Sequence, residues 1–366
     1  MSFLRVEGAP DEVIADLRRW LAASSSAEDR VPDLVIETSG STGRPKQVRL
    51  SRTAMVASVA ASAARLGATG PWVLALPASY VAGVQVLLRS LIAGHEPTLL
   101  ERDGWPTGQG WFVSLVPTQL TRMLEVPDDR AALGRAHTVL LGGGPIDRAL
   151  RERAEAAGVR VVATYGSAET AGGCVYDGLP LDGVTLAFGA GGRIRIAGPT
   201  LFREYVDQPS LTAEVLAEGW FLTSDAGGLD EEGRLQVIGR VDDVIVSGGL
   251  NVPGPAVAER IRAHPSVSSA VVLGVPDAQW GRRVVAFVVA APSCAGPPAD
   301  PDTGPDTGPD TGPGIESVLR DWVGAVHPRT WAPRQVVVLT QMPLLSNGKP
   351  DRQALLAHPE VAGDWA

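Results

Sequence analysis

Two hydrophobic rhythms alternate along the first half of this chain. Pro32–Ile36, Trp72–Leu76, Trp111–Val116, Thr138–Leu141 and Val159–Ala163 are short apolar runs that predict buried strands. Between them, Ala54–Arg65, Gly83–Ala93, Thr118–Glu125 and Arg148–Ala157 repeat apolar positions at helical spacing and hold few breakers. Strand–helix alternation of this kind predicts a parallel sheet flanked by helices. From Gly191 onward the rhythm shortens. Gly192–Ala197, Gly219–Thr223 and Arg234–Ile238, with a Glu232-Gly233 turn, predict a small β-rich subdomain at about 185–239.

A second domain is expected over about 240–358: helix Pro255–Ala263, strands Ala270–Val275 and Val284–Ala290, helix Ile315–Val326 and strand Gln335–Leu339. The fold class is therefore α/β: a large N-terminal domain, residues 1–239, with its β subdomain, followed by a smaller α+β domain. Within the latter, 292–314 carries a Pro-Asp-Thr-Gly repeat starting at Pro301. Pro and Gly at that density cannot build a core, which predicts a flexible surface loop.

Composition narrows the function classes. At 366 residues the chain can bury two cores, and a net charge of −9 argues against a broad nucleic-acid face. Cys174 and Cys294 lie far apart and the histidines number only five, so neither a disulfide framework nor a zinc site is expected. The acidic start, MSFLRVEGAPDEV, lacks a signal-peptide core. The most apolar helix, Gly83–Ala93, is interrupted by Gln85 and Arg89. A cytoplasmic protein without membrane association is expected.

The richest segment is TSGSTGRPK, Thr38 to Lys46, directly after a predicted strand. Gly40 and Gly43 allow backbone N–H groups to approach a polyphosphate. Thr38, Ser39, Ser41 and Thr42 add hydroxyl donors, and Lys46 adds positive charge. The spacing is not that of a Walker A loop, because the glycines are too close and Pro45 precedes the lysine.

This string resembles the phosphate loop of the adenylate-forming superfamily of acyl-CoA synthetases, luciferases and peptide-synthetase adenylation domains. Further segments follow in that family's order: GGGP from Gly142, YGSAET from Tyr165, GWFLTSD from Gly219, GRVDDVIVSGG from Gly239, GVPDAQWG from Gly274 and PLLSNGK ending at Lys349. The resemblance spans about 35–355. It implies ATP, Mg²⁺ and coenzyme A as cofactors, and two half-reactions: carboxylate attack on the ATP α-phosphate, then thiol displacement of AMP.

By that resemblance Thr38, Ser39, Gly40, Ser41, Thr42, Gly43 and Lys46 hold phosphates, and Gly143, Gly144, Tyr165, Gly166 and Thr170 line the nucleotide. Glu169 binds Mg²⁺, Asp225 and Arg240 reach the ribose, and Lys349 bridges the substrate carboxylate and α-phosphate. Asp242 is the hinge residue of a lid domain with its hinge at 240–243, and Gly248 and Gly249 lie near the pantetheine path. Taken singly, Asp225 also reads as a turn former, Lys349 as a surface charge, Tyr165 as core filler and the hinge as a rigid linker.

Departures bear on the acid substrate. Ala168 replaces a hydroxyl residue, with Ser167 or Thr170 available instead; Ser224 replaces a glycine; and Tyr80 stands where His is common. The loop begins at residue 38, implying a trimmed first subdomain. Local strings, including GVQVLLRS from Gly83 and ETAGGCVYD from Glu169, resemble short actinobacterial o-succinylbenzoate–CoA ligases of menaquinone biosynthesis. This resemblance implies a small aromatic (di)carboxylic acid substrate, with Tyr80, Arg89 and Ser167 as substrate contacts and Arg89 the anchor for a distal carboxylate. Family habit adds a homodimer. The alternatives are an aryl- or amino-acid-adenylating enzyme that loads a carrier protein, and a non-catalytic nucleotide-binding paralogue.

Overall fold

The computed structural model describes residues 3–23, 31–38, 46–144, 146–241, 244–291, 314–345 and 350–362. The loop 39–45, Asp242, Lys349, Cys294 and the repeat segment thus lie outside the described residues. The chain divides into two compact units. The first runs to Thr223 and includes Gly228–Gln236; the second is built mainly from Val237 onward and includes Ser224–Gly227.

The main sheet of the first unit has seven strands. Trp72–Leu74, Thr98–Leu99, Phe112–Leu115, Thr138–Leu141 and Val161–Ser167 run parallel, while Gly172–Tyr176 and Leu179–Pro180 close one edge antiparallel. Side chains alternate between its faces. Val73, Val113, Leu115, Val139 and Leu141 face a core shared with Leu120, Leu133 and Leu150 from the helices Pro117–Glu125, Pro127–Leu133 and Arg148–Ala156. Trp72, Leu74, Phe112 and Leu140 face the other core, with Leu17, Met55, Val84 and Leu88 from helices Pro10–Ala22, Arg52–Leu66 and Val81–Ile92. Both faces are covered, which is why the central strands read as predominantly apolar runs.

The strand expected at Pro32–Ile36 does form, as Asp33–Thr38, but outside the parallel sheet. It lies in a separate four-stranded sheet, parallel to Phe3–Arg5 and antiparallel to Lys46–Leu50, which pairs in turn with Glu204–Tyr205. An apolar run records burial and is silent about its partner. Helix Arg52–Leu66 shows local encoding at both ends: the Ser51 hydroxyl accepts from Ala54 N–H at 3.1 Å, and Gly67 closes it with φ 69°. A five-stranded sheet holds the β-rich segments, including Thr185–Phe188, Arg193–Ala197, Trp220–Leu229 and Leu235–Arg240.

The second unit carries a three-stranded sheet in which Gly281–Ala290 pairs antiparallel with Val267–Asp277 and parallel with Gln335–Leu339. Along the central strand, Val284, Ala286 and Val288 pack against Val257, Ile261, Leu319 and Val323 from helices Gly254–Arg262 and Ile315–Gly324. Val285 and Phe287 face Val337 and Leu355 on the other side.

Candidate active site

In open parallel sheets, ligands bind beyond the carboxyl ends of the strands. Two adjacent strands, Thr138–Leu141 and Val161–Ser167, deliver the glycine turn and the Tyr165–Thr170 segment to that edge. Gly143 has φ 80°, and both Gly143 and Gly144 are exposed. Gly166 is required by packing: a Cβ there would stand 2.1 Å from the Gly172 carbonyl oxygen. Tyr165 is half-buried and packs against the first core.

Lys46 and Glu169 meet around a residue that sequence reasoning missed, Tyr205. Its hydroxyl donates to Glu169 Oε1 at 2.7 Å, and the Lys46 Nζ lies 5.1 Å from the centre of its ring. The Glu169 backbone carbonyl accepts from Phe202 N–H at 2.9 Å, so two bonds tie this turn to segment 202–205. Burial and the adjacent carboxylate push the Tyr205 hydroxyl well above the usual tyrosine range, so it remains a donor. Tyr205 lies 36 residues beyond Glu169 on a two-residue strand. It reaches the site only because Tyr205 pairs with Val48, two positions from Lys46, a relation with no local sequence signal. Thr38 and Lys46 are partners at the end of their hairpin, with the Lys46 N–H 3.4 Å from Thr38 Oγ1. They flank residues 39–45, the stretch expected to hold phosphates.

Thr170 departs from its expected role at the nucleotide. It is fully buried and its hydroxyl is committed to the backbone: it accepts from Ser167 N–H at 2.9 Å and donates to the Gly172 carbonyl at 2.7 Å. It shapes the turn. Ser167 Oγ, in contrast, is buried and has no hydrogen-bond partner among the described residues.

Arg89 is corrected more strongly. It is 7% exposed, donates from Nη2 to the Tyr176 hydroxyl at 3.1 Å, and lies 4.9 Å over the Trp72 ring. Trp72 begins its strand, at the end of the sheet opposite the ligand edge. Arg89 sits in the last turn of helix Val81–Ile92, whose N-cap is Tyr80. At 1.5 Å per residue the two are roughly 13 Å apart along the helix axis. No carboxylate pairs with Arg89 among the described residues; the aromatic face and phenol hydroxyl serve instead. Tyr80 is half-buried, within the Pro77–Gly83 turn that follows strand Trp72–Leu74. Gly83 is demanded there, because a Cβ would approach the Pro77 carbonyl oxygen to 2.1 Å.

In the second unit Gly248 and Gly249, with φ of 57° and 77°, form the two-residue turn joining strands Val244–Ser247 and Leu250–Pro253. A Cβ on Gly248 would lie 2.6 Å from the Trp280 ring, which carries the Arg334 guanidinium 3.6 Å above it. Asp225 and Arg240 are half-buried, on strands Trp220–Leu229 and Leu235–Arg240.

Comparison with known proteins gives the family. Residues 23–206 match the AMP-binding enzyme family, and 256–349 match the AMP-binding enzyme C-terminal domain. The chain belongs to the AMP-binding enzyme family. A Mycobacterium tuberculosis H37Rv protein named "Probable 2-succinylbenzoate--CoA ligase" is 41% identical over 338 residues, spanning 88% of this chain and 83% of its own length. The Bacillus subtilis o-succinylbenzoate CoA synthetase in complex with its acyl-adenylate intermediate superposes with a TM-score of 0.70 at 26% identity, over 88% of this chain and 68% of that one. The same synthetase with ATP and magnesium gives a TM-score of 0.68, again at 26% identity, over 88% and 69%.

Proposed function

We propose that this protein is an ATP-dependent 2-succinylbenzoate–CoA ligase that forms the acyl-adenylate and then the CoA thioester. The observation that supports this reading best is the convergence of Lys46 and Glu169 on Tyr205 beside the ends of the stretch expected to hold phosphates. The mycobacterial relative's name supplies the acid.

Charge develops on phosphate oxygens during adenylation, so catalysis rests on positioning and electrostatics. Lys46 places a cation next to the loop that cradles the β- and γ-phosphates. Glu169 offers one half-buried carboxylate, and no cluster of three or more acidic, His or Cys side chains exists among the described residues. That donor set suits Mg²⁺, which takes one or two carboxylates and completes its shell with phosphate oxygens and water. Bound there, Mg²⁺ would neutralise phosphate charge. Lys349 delivers the second cation, to the carboxylate and α-phosphate, and Asp242 serves as the hinge of the lid domain. Asp225 and Arg240 hold the ribose, Gly143, Gly144 and Tyr165 the adenine side, and Tyr80 and Ser167 line the acid. We place the enzyme in the cytoplasm as a homodimer, free of membrane and nucleic acid; none of the described helices is long and apolar enough to cross a membrane.

ATP–pyrophosphate exchange across a panel of aromatic mono- and dicarboxylates tests the first half-reaction, and CoA against a carrier protein as thiol acceptor tests the second. Exchange selective for 2-succinylbenzoate, with CoA accepted, is the expected result. Exchange driven by an amino or aryl acid with no CoA thioester would sink the reading in favour of carrier loading.

A further inference from the structure

We infer that Tyr205 is a positioning residue that sets metal preference at this site: by donating to Glu169 Oε1 it turns Oε2 toward a divalent cation and biases the carboxylate to monodentate coordination, which favours Mg²⁺ over Ca²⁺. The inference rests on the reading of Glu169 as the metal ligand. Tyr205 is 3% exposed, with its ring 4.9 Å from that of Phe202. Its own N–H donates to Thr212 Oγ1 at 2.9 Å, and its strand is hydrogen-bonded to Lys46–Leu50. The hydroxyl therefore arrives at Glu169 from a fixed frame.

Glu169 is held at its backbone and at its side chain. Phe202 N–H binds the Glu169 carbonyl at 2.9 Å, while the phenol binds Oε1 at 2.7 Å. Oε2 takes no hydrogen bond or ion pair among the described residues. A carboxylate capped in this way favours coordination through the uncapped oxygen. Mg²⁺, small and octahedral, accepts monodentate carboxylates readily. Ca²⁺ carries six to eight oxygens and gains from bidentate ones. Bidentate capture competes with the phenol for Oε1 and weakens that bond at a buried O–H. The Lys46 ammonium rests over the same ring, so the residue that orients the metal ligand also borders the phosphate-loop cation.

Calorimetric titration of Mg·ATP and Ca·ATP into the wild-type protein and Tyr205→Phe reads the preference directly, without turnover. The variant keeps the ring, its packing and its contact with Lys46. Its Ca²⁺ to Mg²⁺ ratio of dissociation constants should shrink about tenfold, the scale of one hydrogen bond to a charged group. An unchanged ratio overturns the inference. If Tyr205→Phe does not fold, Glu169→Asp, whose shorter carboxylate cannot reach the phenol, should narrow the ratio equally, and an unchanged ratio there overturns it too. Glu169→Gln separates the two levels. If it leaves both affinities untouched, Glu169 is not the ligand and the parent reading falls; if it abolishes the preference while Tyr205→Phe does not, only the role of Tyr205 is lost.

Discussion

Gln85, buried on helix Val81–Ile92, donates its side-chain amide to the Ala171 carbonyl at 2.7 Å, and the Ser58 hydroxyl donates to the same oxygen at 3.0 Å. Ala171 has φ 53°, a left-handed conformation that costs a non-glycine residue about 1–2 kcal/mol. Two side chains from different helices thus clamp the strained residue that ends the Glu169 turn. Ser58→Ala and Gln85→Leu alone should each lower unfolding free energy by about 1 kcal/mol. The double variant should lose more than their sum, because only then is the buried carbonyl bare. Urea denaturation decides this, and simple additivity would show that the two donors act independently. Ala171→Gly should instead raise stability.

Two glycines of the candidate site predict opposite behaviour. Gly166→Ala should destabilise by about 3 kcal/mol or more, since its Cβ would be forced against the Gly172 backbone at 2.1 Å. Gly144→Ala meets nothing nearer than Pro117 at 4.0 Å. It should leave the melting temperature within a degree or two and weaken ATP binding. Thermal denaturation beside ATP titration separates them; a Gly144→Ala protein with a lowered melting temperature and wild-type ATP affinity would contradict the nucleotide role.

Arg89→Met should leave the KM for 2-succinylbenzoate within about twofold. The guanidinium is held by Trp72 and Tyr176 on the side of the sheet away from the ligand edge, and an apolar residue of similar volume replaces a buried charge with little loss. Steady-state kinetics checks it, and a steep rise in KM with ATP constants unchanged would restore Arg89 as the acid anchor.

Lys349→Ala should reduce adenylation by about 10²–10³, the range for loss of one preorganised charge-stabilising group. Thioester formation from pre-made acyl-adenylate should survive. Single-turnover assays of each half-reaction provide the test, and equal damage to both would assign Lys349 a structural role.

Cys174 is fully buried, and burial pushes its thiol up to about 12. In a Cys294→Ser background the native protein should resist iodoacetamide at pH 8, because the thiolate is scarcely populated. Modification at the unfolded rate would mean that this strand opens readily.

Periodicity carried much of the fold, because burial leaves a local imprint. Residues 112–115 and 138–141 are mostly apolar, Ser114 and Thr138 excepted, since helices cover both faces of their sheet, and helix 52–66 announces its ends at Ser51 and Gly67. Antiparallel closure by Gly172–Tyr176 and the short strand Glu204–Tyr205 left no such imprint, being defined by partners distant in sequence. Arg89 shows the limit from the other side. A cation in an apolar helix reads as an anion site until the aromatic face beneath it becomes visible.

The sequence by itself determined the chemistry on offer: a hydroxyl- and glycine-rich loop ending in Lys46, a carboxylate at Glu169 and a late lysine at Lys349, since each is spelled within a few adjacent residues. Only the tertiary structure decided which groups meet. The pairing of strand 204–205 with strand 46–50 brings the Tyr205 phenol to Glu169 and its ring beneath Lys46. Helix 81–92, packed along the sheet, carries Arg89 to the opposite end. Side-chain identity is a local property of the chain, whereas distance between side chains is set by strand register and packing.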